Sequence, residues 1–138
     1  MTFAGLNEIL TDGAMMKNSN FYTSLKNAFN GAIHFFSTER NGKIQLAISG
    51  VVLFFSFFFK ITAIEWIIVL LCCALVIGAE MMNTAIENAC DSFTDSYNPK
   101  IKLAKDIAAG TVWIISVIVV LAGLILFLPY IQNRFFSV

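Results

Sequence analysis

Three long apolar runs, separated by short polar segments, dominate the pattern of this chain. Residues 44–59 carry no charge, and because Lys60 can snorkel, this run is expected to continue until it reaches the roughly 20 residues that a bilayer requires. Residues 66–79 are too few to cross alone, so their helix must continue through the polar residues that follow. The third run, 107–131, is uncharged, and Pro129 lies at its far end, where a helix can stop. The pattern predicts three transmembrane helices, over 44–64, 66–90 and 107–131.

A further helical pattern precedes these runs. Apolar residues recur at helical spacing, with polar residues between them, at Leu25, Ala28, Phe29, Ala32, Ile33 and Phe36. This pattern predicts an amphipathic helix over 22–38 that lies in the membrane interface; the alternative is a helix packed on a soluble partner. Residues 1–21 are predicted to be an extension, and because 1–20 lack a continuous apolar core, they do not form a cleavable secretory signal. The whole chain, 1–138, is predicted to be one domain of the all-α membrane class.

The composition agrees with a location in a bilayer. Of the 138 residues, 58% are hydrophobic and 13% are charged, and the mean hydropathy is +0.78. Such a chain is far more apolar than an ordinary soluble domain. The formal net charge is zero, which gives no indication of a nucleic-acid partner. The three cysteines have neither disulfide nor metal-ligand spacing, so we interpret them as small buried hydrophobic residues.

Basic residues are distributed unequally between the two sides of the predicted spans. Seven of them precede the first span or connect the second span to the third, namely Lys17, Lys26, Arg40, Lys43, Lys100, Lys102 and Lys105. The opposite side receives only Lys60 and Arg134. Because short loops rich in Lys and Arg stay in the cytoplasm, we predict that the amino terminus is cytoplasmic and the carboxyl terminus is outside.

A polar stripe interrupts the second half of the second span. It consists of Glu80, Asn83, Glu87 and Asp91. At about 100° and about 1.5 Å per residue, these residues lie within an arc of about 80° on one helix face, and the stripe climbs roughly 16 Å. Because an unpaired charge at the centre of a bilayer costs at least a few kcal/mol, ionisable residues there indicate a functional site.

The residues themselves leave three interpretations of this stripe open. A stripe that only joins helices by hydrogen bonds is one, although Asn, Ser or Thr would do this without the cost of ionisable groups. A proton or cation pathway, as in transporters, is the second. A divalent metal site is the third, because Glu39, Asp95 and Asp106 supply further oxygen ligands at the same membrane face. Mg²⁺ is commonly held by one or two carboxylates plus substrate phosphates, which suits this arrangement.

Three segments resemble one known family. Residues 80–91 (EMMNTAIENACD) look like the signature of the prokaryotic diacylglycerol kinase family, position by position. Residues 104–110 (AKDIAAG) resemble its segment entering the third span, and residues 38–41 (TERN) resemble its acidic segment before the first span. The resemblance implies a lipid kinase of the bacterial cytoplasmic membrane that transfers the γ-phosphoryl group of MgATP to a lipid hydroxyl. It also implies a homotrimer whose active sites are shared between neighbouring subunits.

The same resemblance implies a role for each polar residue. Glu80 would be the general base that takes the proton of the lipid hydroxyl, and Asn83 would orient the lipid or the base. Glu87 and Glu39 would hold the Mg²⁺ that bridges the ATP phosphates. The remaining residues implied to contact the nucleotide are Tyr97, Lys105 and Asp106.

Several assignments keep an alternative. Lys105 at a membrane boundary is often a topology anchor, and Tyr97 is compatible with an interfacial aromatic residue. Asp91 fits either a solvated group or a nucleotide contact. Asn98 stands where family members often carry histidine, and Gln45 stands where the undecaprenol kinase branch often has histidine. These two positions depart from the nucleotide contacts that the resemblance implies.

The acceptor lipid and the function class also stay open. Diacylglycerol would give a phospholipid precursor and undecaprenol a carrier for cell-wall synthesis; the segment 39–41 favours the undecaprenol branch weakly. A small oligomeric transporter is the alternative to a kinase. Residues Lys105 and Asp106 favour the kinase, because a transporter would not need them.

Overall fold

The chain forms four α-helices in a computed structural model that describes residues 21–93 and 97–135. In chain order the helices are α1 (Phe21–Thr38), α2 (Arg40–Phe59), α3 (Ala63–Phe93) and α4 (Pro99–Phe135). Three of them, α2, α3 and α4, are long and apolar enough to cross a membrane. The predictions of an all-α fold and of three spans are therefore confirmed. The predicted extension, apart from its last residue, and Asp95 lie outside the described residues.

Most of helix α1 falls in a compact unit that ends at Phe35, and the other three helices belong to a second unit. The observed start and end of α1 agree with the predicted amphipathic helix to within a residue. The apolar side chains Phe21, Leu25, Phe29 and Ile33 follow one another at intervals of four residues, and all of them are exposed. Residues at this interval lie on one side of a helix, so α1 presents an apolar face.

Helix α2 ends earlier than the sequence predicts. The predicted continuation through Lys60 to Ile64 is not helical, because Lys60 adopts the left-handed conformation, with φ 51° and ψ 48°. The amide of Lys60 donates to the carbonyl oxygen of Phe57 and the amide of Ile61 to that of Ser56, which closes the last turn. The helix reaches 20 residues by starting at Arg40. Its length therefore comes from the polar residues at its beginning.

Helix α3 packs against both α2 and α4. Its buried residues are Val69, Val76, Glu80 and Asn83. Their separations of seven, four and three residues correspond to one side of an α-helix. The polar stripe therefore lies on the same side of α3 as the residues packed against α2 and α4. Its first two residues, Glu80 and Asn83, are buried inside the three-helix unit.

Helix α4 continues beyond the predicted stop and passes through Pro129 to Phe135. A proline near a helix end removes only one backbone donor, and the turn around it is held by side-chain contacts. The ring of Phe59, at the end of α2, lies 6.3 Å from the ring of Phe127 and 6.0 Å from that of Tyr130. These contacts join the ends of α2 and α4.

Candidate active site

The polar stripe on α3 runs from a buried end to an exposed end. Glu80 is 6% exposed and Asn83 is 8% exposed, whereas Glu87 is half-buried and Asp91 is exposed. The i, i+3 and i, i+4 spacing of a single helix places these side chains in a row. The sequence predicted this row from the spacing of its residues, and Glu80 and Asn83 lie at its buried end.

Two neighbouring polar residues in this row share a hydrogen bond. The Nδ2 amide of Asn83 donates to Oε1 of Glu87 at 2.9 Å. The other polar atom of Asn83, Oδ1, is buried without a hydrogen-bond partner among the described residues. A buried acceptor left unpaired costs about 1–3 kcal/mol, so this oxygen is suited to a donor from a bound molecule.

The Glu80 carboxylate is more isolated than the Asn83 amide. Within residues 21–93 and 97–135 no side chain or backbone group forms a hydrogen bond or ion pair with it. A groove of about 330 Å³ between α3 and α4 reaches Asn83, one turn from Glu80. Apart from Asn83 and Thr111 its lining residues are small or apolar, including Gly78, Ala79 and Ala108. This part of the site therefore combines an apolar surface with unpaired polar acceptors.

One ion pair joins the exposed end of the stripe to α4. Nζ of Lys105 lies 2.6 Å from Oδ1 of Asp91, which joins the end of α3 to the start of α4. Lys102 pairs with Asp106 one turn along α4. Positive charge is thus placed beside the carboxylate end of the stripe.

Two other predicted site residues, Glu39 and Tyr97, form no hydrogen bond or ion pair with the stripe in the described part of the chain. Glu39 is half-buried immediately before α2, where its side chain makes no capping bond. Tyr97 is 80% exposed and precedes α4. Among the residues that the structure describes, no three His, Cys, Asp or Glu side chains form a cluster that would hold a metal ion. Glu87 and Glu39 are therefore at most part of a metal site whose other ligands come from elsewhere, which is how Mg²⁺ commonly binds with phosphates.

The pairing of Asp91 with Lys105 was missed from the sequence. The two residues are 14 positions apart across the connection between α3 and α4, and no local spacing rule joins them. Their opposite charges at facing helix ends were the available signal. The Asn83–Glu87 bond, in contrast, follows from a separation of four residues on one helix.

A second polar cluster lies at the beginning of α3. Oε2 of Glu65 accepts hydrogen bonds of 2.7 Å from the backbone amide and the hydroxyl of Thr62. The same oxygen accepts a third bond, also 2.7 Å, from the hydroxyl of Tyr130 on α4. Glu65 therefore joins the α2–α3 turn to the end of α4.

Three long apolar helices, with the Glu80 carboxylate and the Asn83 amide buried among them, are typical of a small helical membrane protein. Its polar site lies inside the membrane-spanning part. The family model for prokaryotic diacylglycerol kinase matches residues 26–127. The chain belongs to that family.

Two relatives show how far the similarity extends. The undecaprenol kinase of Bacillus subtilis (strain 168) is 38% identical over 111 residues, which cover 80% of this chain and 90% of that protein. The diacylglycerol kinase of Synechocystis sp. (strain ATCC 27184 / PCC 6803 / Kazusa) is 31% identical over 126 residues, 91% of this chain and 72% of that protein. No solved structure gives a significant match.

Proposed function

We propose that the protein is an ATP-dependent lipid kinase that transfers the γ-phosphoryl group of MgATP to the hydroxyl of a membrane lipid. The observation that carries the proposal is the buried pair Glu80 and Asn83, each with an oxygen that no described residue engages. Because such groups are costly inside a bilayer, their retention calls for a bound partner that supplies a donor. A lipid hydroxyl is a donor that can reach this depth.

Glu80 is the general base of the proposed reaction. Its carboxylate takes the proton of the lipid hydroxyl while the hydroxyl oxygen forms a bond to the γ-phosphorus of ATP. The bond between that phosphorus and the β–γ bridging oxygen breaks, and ADP leaves. Oδ1 of Asn83 accepts a hydrogen bond from the lipid hydroxyl when the lipid first binds and so orients it, while its Nδ2 group stays bonded to Glu87. The hydroxyl then turns to Glu80, which takes its proton during transfer.

Glu87 and Glu39 are proposed to hold Mg²⁺ together with the ATP phosphates. The donor set fits this ion, because carboxylate oxygens are its usual protein ligands and phosphates complete the coordination. When bound, Mg²⁺ would neutralise the charge of the phosphates. Within the chain, Asn83 holds Oε1 of Glu87 and leaves Oε2 of the same carboxylate available.

Lys105, Asp106 and Tyr97 are proposed to contact the nucleotide. Lys105 would exchange its bond to Asp91 for one to a phosphate, and Asp106 would exchange Lys102 for the nucleotide. Both ion pairs are partly exposed, so each holds its partner weakly and can open. Before the nucleotide binds, these ion pairs leave fewer charges unpaired in the protein.

We place undecaprenol ahead of diacylglycerol as the acceptor. The relative named undecaprenol kinase is the more similar of the two and is matched over more of its own length. The segment 39–41 favours the same branch. Diacylglycerol remains the alternative acceptor.

The proposed working form is a homotrimer in the bacterial cytoplasmic membrane. Few residues of the three spans are buried within one chain, which leaves broad helix faces for lipid and for neighbouring copies. The polar Glu87 and Asp91 are also incompletely covered, and a neighbouring subunit would shield them from lipid. We further propose that the active site and the amino terminus face the cytoplasm and that α1 lies in the membrane interface; the distribution of basic residues supports this orientation.

The test is a phosphorylation assay of purified full-length protein with γ-labelled ATP. Undecaprenol and diacylglycerol are offered separately in the same detergent, with the Glu80→Gln protein as the matched control. We expect label in the lipid fraction that depends on Mg²⁺ and on Glu80, and more label in undecaprenol. Absence of label from both lipids, together with ATP-independent cation flux through vesicles containing the protein, would replace the kinase with a transporter.

A further inference from the structure

The end of the molecule opposite the exposed part of the stripe contains a polar cleft that the proposed kinase reaction does not use. It lies between the last turn of α2 and the last turns of α4 and has a volume of about 380 Å³. Its lining residues are Phe58, Phe59, Lys60, Tyr130, Asn133 and Arg134. The adjoining Glu65 is about 22 Å from Glu80 along α3, so the cleft is separate from the proposed active site.

Both basic residues of this half of the molecule line the cleft. Lys60 and Arg134 are exposed, and neither forms an ion pair with any residue in the described part of the chain. The nearest acidic residue, Glu65, does not line the cleft and is bonded to Thr62 and Tyr130. The cleft therefore carries two positive charges that the described protein does not neutralise.

The backbone at Lys60 supplies an independent observation. This residue is the one non-glycine residue with positive φ among those described. Glycine is the usual residue at a left-handed helix end because it has no Cβ to clash there. A side chain at this position is thus retained at a cost to the backbone, which is consistent with a use for its ammonium group.

The apolar walls indicate what kind of anion fits. The ring centres of Phe58 and Phe59 are 5.2 Å apart, in an edge-to-face arrangement. The ring of Phe59 also contacts that of Phe127 on α4. A ligand in this cleft would meet cations at its outer part and aromatic carbon below. An anionic phospholipid has this combination, with a phosphate in the headgroup and acyl chains beneath it.

We propose that this cleft is a binding site for the phosphate headgroup of an anionic phospholipid, in the leaflet that meets the α2–α3 turn and the end of α4. Lys60 and Arg134 bind the phosphate oxygens, and the Phe58 and Phe59 rings contact the glycerol and upper acyl carbons. The bound lipid joins the ends of α2 and α4 and is distinct from the lipid acceptor.

The test uses delipidated full-length protein in a neutral detergent and measures lipid binding by native mass spectrometry. Phosphatidylglycerol, phosphatidylcholine with the same acyl chains, and inorganic phosphate are the probes. The double variant Lys60→Gln/Arg134→Gln is compared with Lys43→Gln/Lys100→Gln, which removes the same charge from the other end. We expect phosphatidylglycerol affinity to fall about fivefold for each cleft charge removed and to stay within about twofold in the control pair.

A single variant separates binding from folding. Lys60→Gly removes the charge but suits the left-handed backbone, so it should keep or raise the melting temperature while losing about fivefold in phosphatidylglycerol affinity. Lys60→Arg should retain binding. Equal losses in the cleft and control double variants, unchanged binding in Lys60→Gly, or equal affinity for phosphatidylglycerol and phosphatidylcholine would overturn the proposal. Displacement of the lipid by millimolar inorganic phosphate would instead make the cleft a site for free anions.

Discussion

Glu65 and Glu80 are the same chemical group on the same helix, but their surroundings differ. One oxygen of Glu65 accepts three hydrogen bonds, from Thr62 twice and from Tyr130. Glu80 is 6% exposed and accepts no hydrogen bond from the described residues. A carboxylate that accepts hydrogen bonds from its own chain joins parts of the structure. A buried carboxylate without such donors is available to a ligand. The number of donors, and not the position along the helix, separates the two roles.

The difference arises from what each end of α3 faces. Near Glu65 the chain turns, and the turn supplies a backbone amide and a hydroxyl from Thr62 while α4 supplies Tyr130. Near Glu80 the neighbours on the packed face of α3 are Val76 and Asn83, and the Asn83 amide group is already used by Glu87. The same glutamate side chain is thus supplied with donors at one end of α3 and left without them near Asn83.

The largest expected effect is on lipid phosphorylation when the two carboxylates are neutralised in parallel. Glu80→Gln keeps the side-chain size but cannot accept a proton, so the rate should fall by roughly two to four orders of magnitude. Glu65→Gln, the matched control, should stay within about twofold of the wild-type rate, because a glutamine oxygen still accepts the same bonds. Initial rates at saturating MgATP measure both. Similar rates for the two variants would remove the distinction between them.

The next effect concerns the proposed metal ligands. Glu87→Gln and Glu39→Gln each remove one charged oxygen, so the Mg²⁺ concentration for half-maximal activity should rise at least about tenfold. Raising Mg²⁺ should then recover part of the activity. Titration of activity with Mg²⁺ measures this, with Glu65→Gln as the control for the same chemical change. Full activity with an unchanged Mg²⁺ titration in both variants would contradict the metal assignment.

A smaller effect is expected at the Lys105–Asp91 pair. If Lys105 leaves Asp91 to contact a phosphate, Lys105→Gln should raise KM for ATP about tenfold, the usual scale of one lost charged contact. Asp91→Asn should leave KM unchanged or lower it, because the competing partner is gone. The decisive comparison is KM for ATP in the two variants at equal ionic strength. A pair that only joins the helices would give equal rises in both.

The smallest effect on turnover is expected at the hydrogen bond between Tyr130 and Glu65. Tyr130→Phe removes one of the three bonds to Glu65 and should lower the melting temperature by a few degrees while leaving phosphorylation unchanged. Tyr22→Phe is the matched control, since the Tyr22 side chain is exposed and makes no bond in the described structure. Thermal unfolding in detergent compares the two. A fall in activity at an unchanged melting temperature would give this end of the molecule a part in the reaction.

The sequence predicted the helices better than their ends. Apolar runs and the spacing of the stripe are local properties, so the spans and the shared face of Glu80 and Asn83 followed from them. The end of α2 at Phe59 depends on a left-handed Lys60, which composition does not indicate. The helical course through Pro129 depends on contacts of Tyr130 with another helix. Those features require knowledge of which helix ends meet.

The candidate site shows the same division. The Asn83–Glu87 bond lies within one helix and is implied by its spacing, but the unpaired Oδ1 of Asn83 is a property of the packed protein. The Lys105–Asp91 pair joins two helices. A sequence pattern therefore identifies which residues are costly in a bilayer, while packing decides which of them remain unpaired.

In the proposed reaction Glu80 takes the proton of the lipid hydroxyl and does not hold the nucleotide. MgATP binding and lipid phosphorylation, measured side by side in the Glu80→Gln protein with its helical content verified, separate these two roles. We expect MgATP affinity within about twofold of wild type and a phosphorylation rate lower by roughly two to four orders of magnitude. Near-normal phosphorylation would contradict the assignment of Glu80 as the base, and loss of MgATP binding in a folded protein would place Glu80 in the metal site instead.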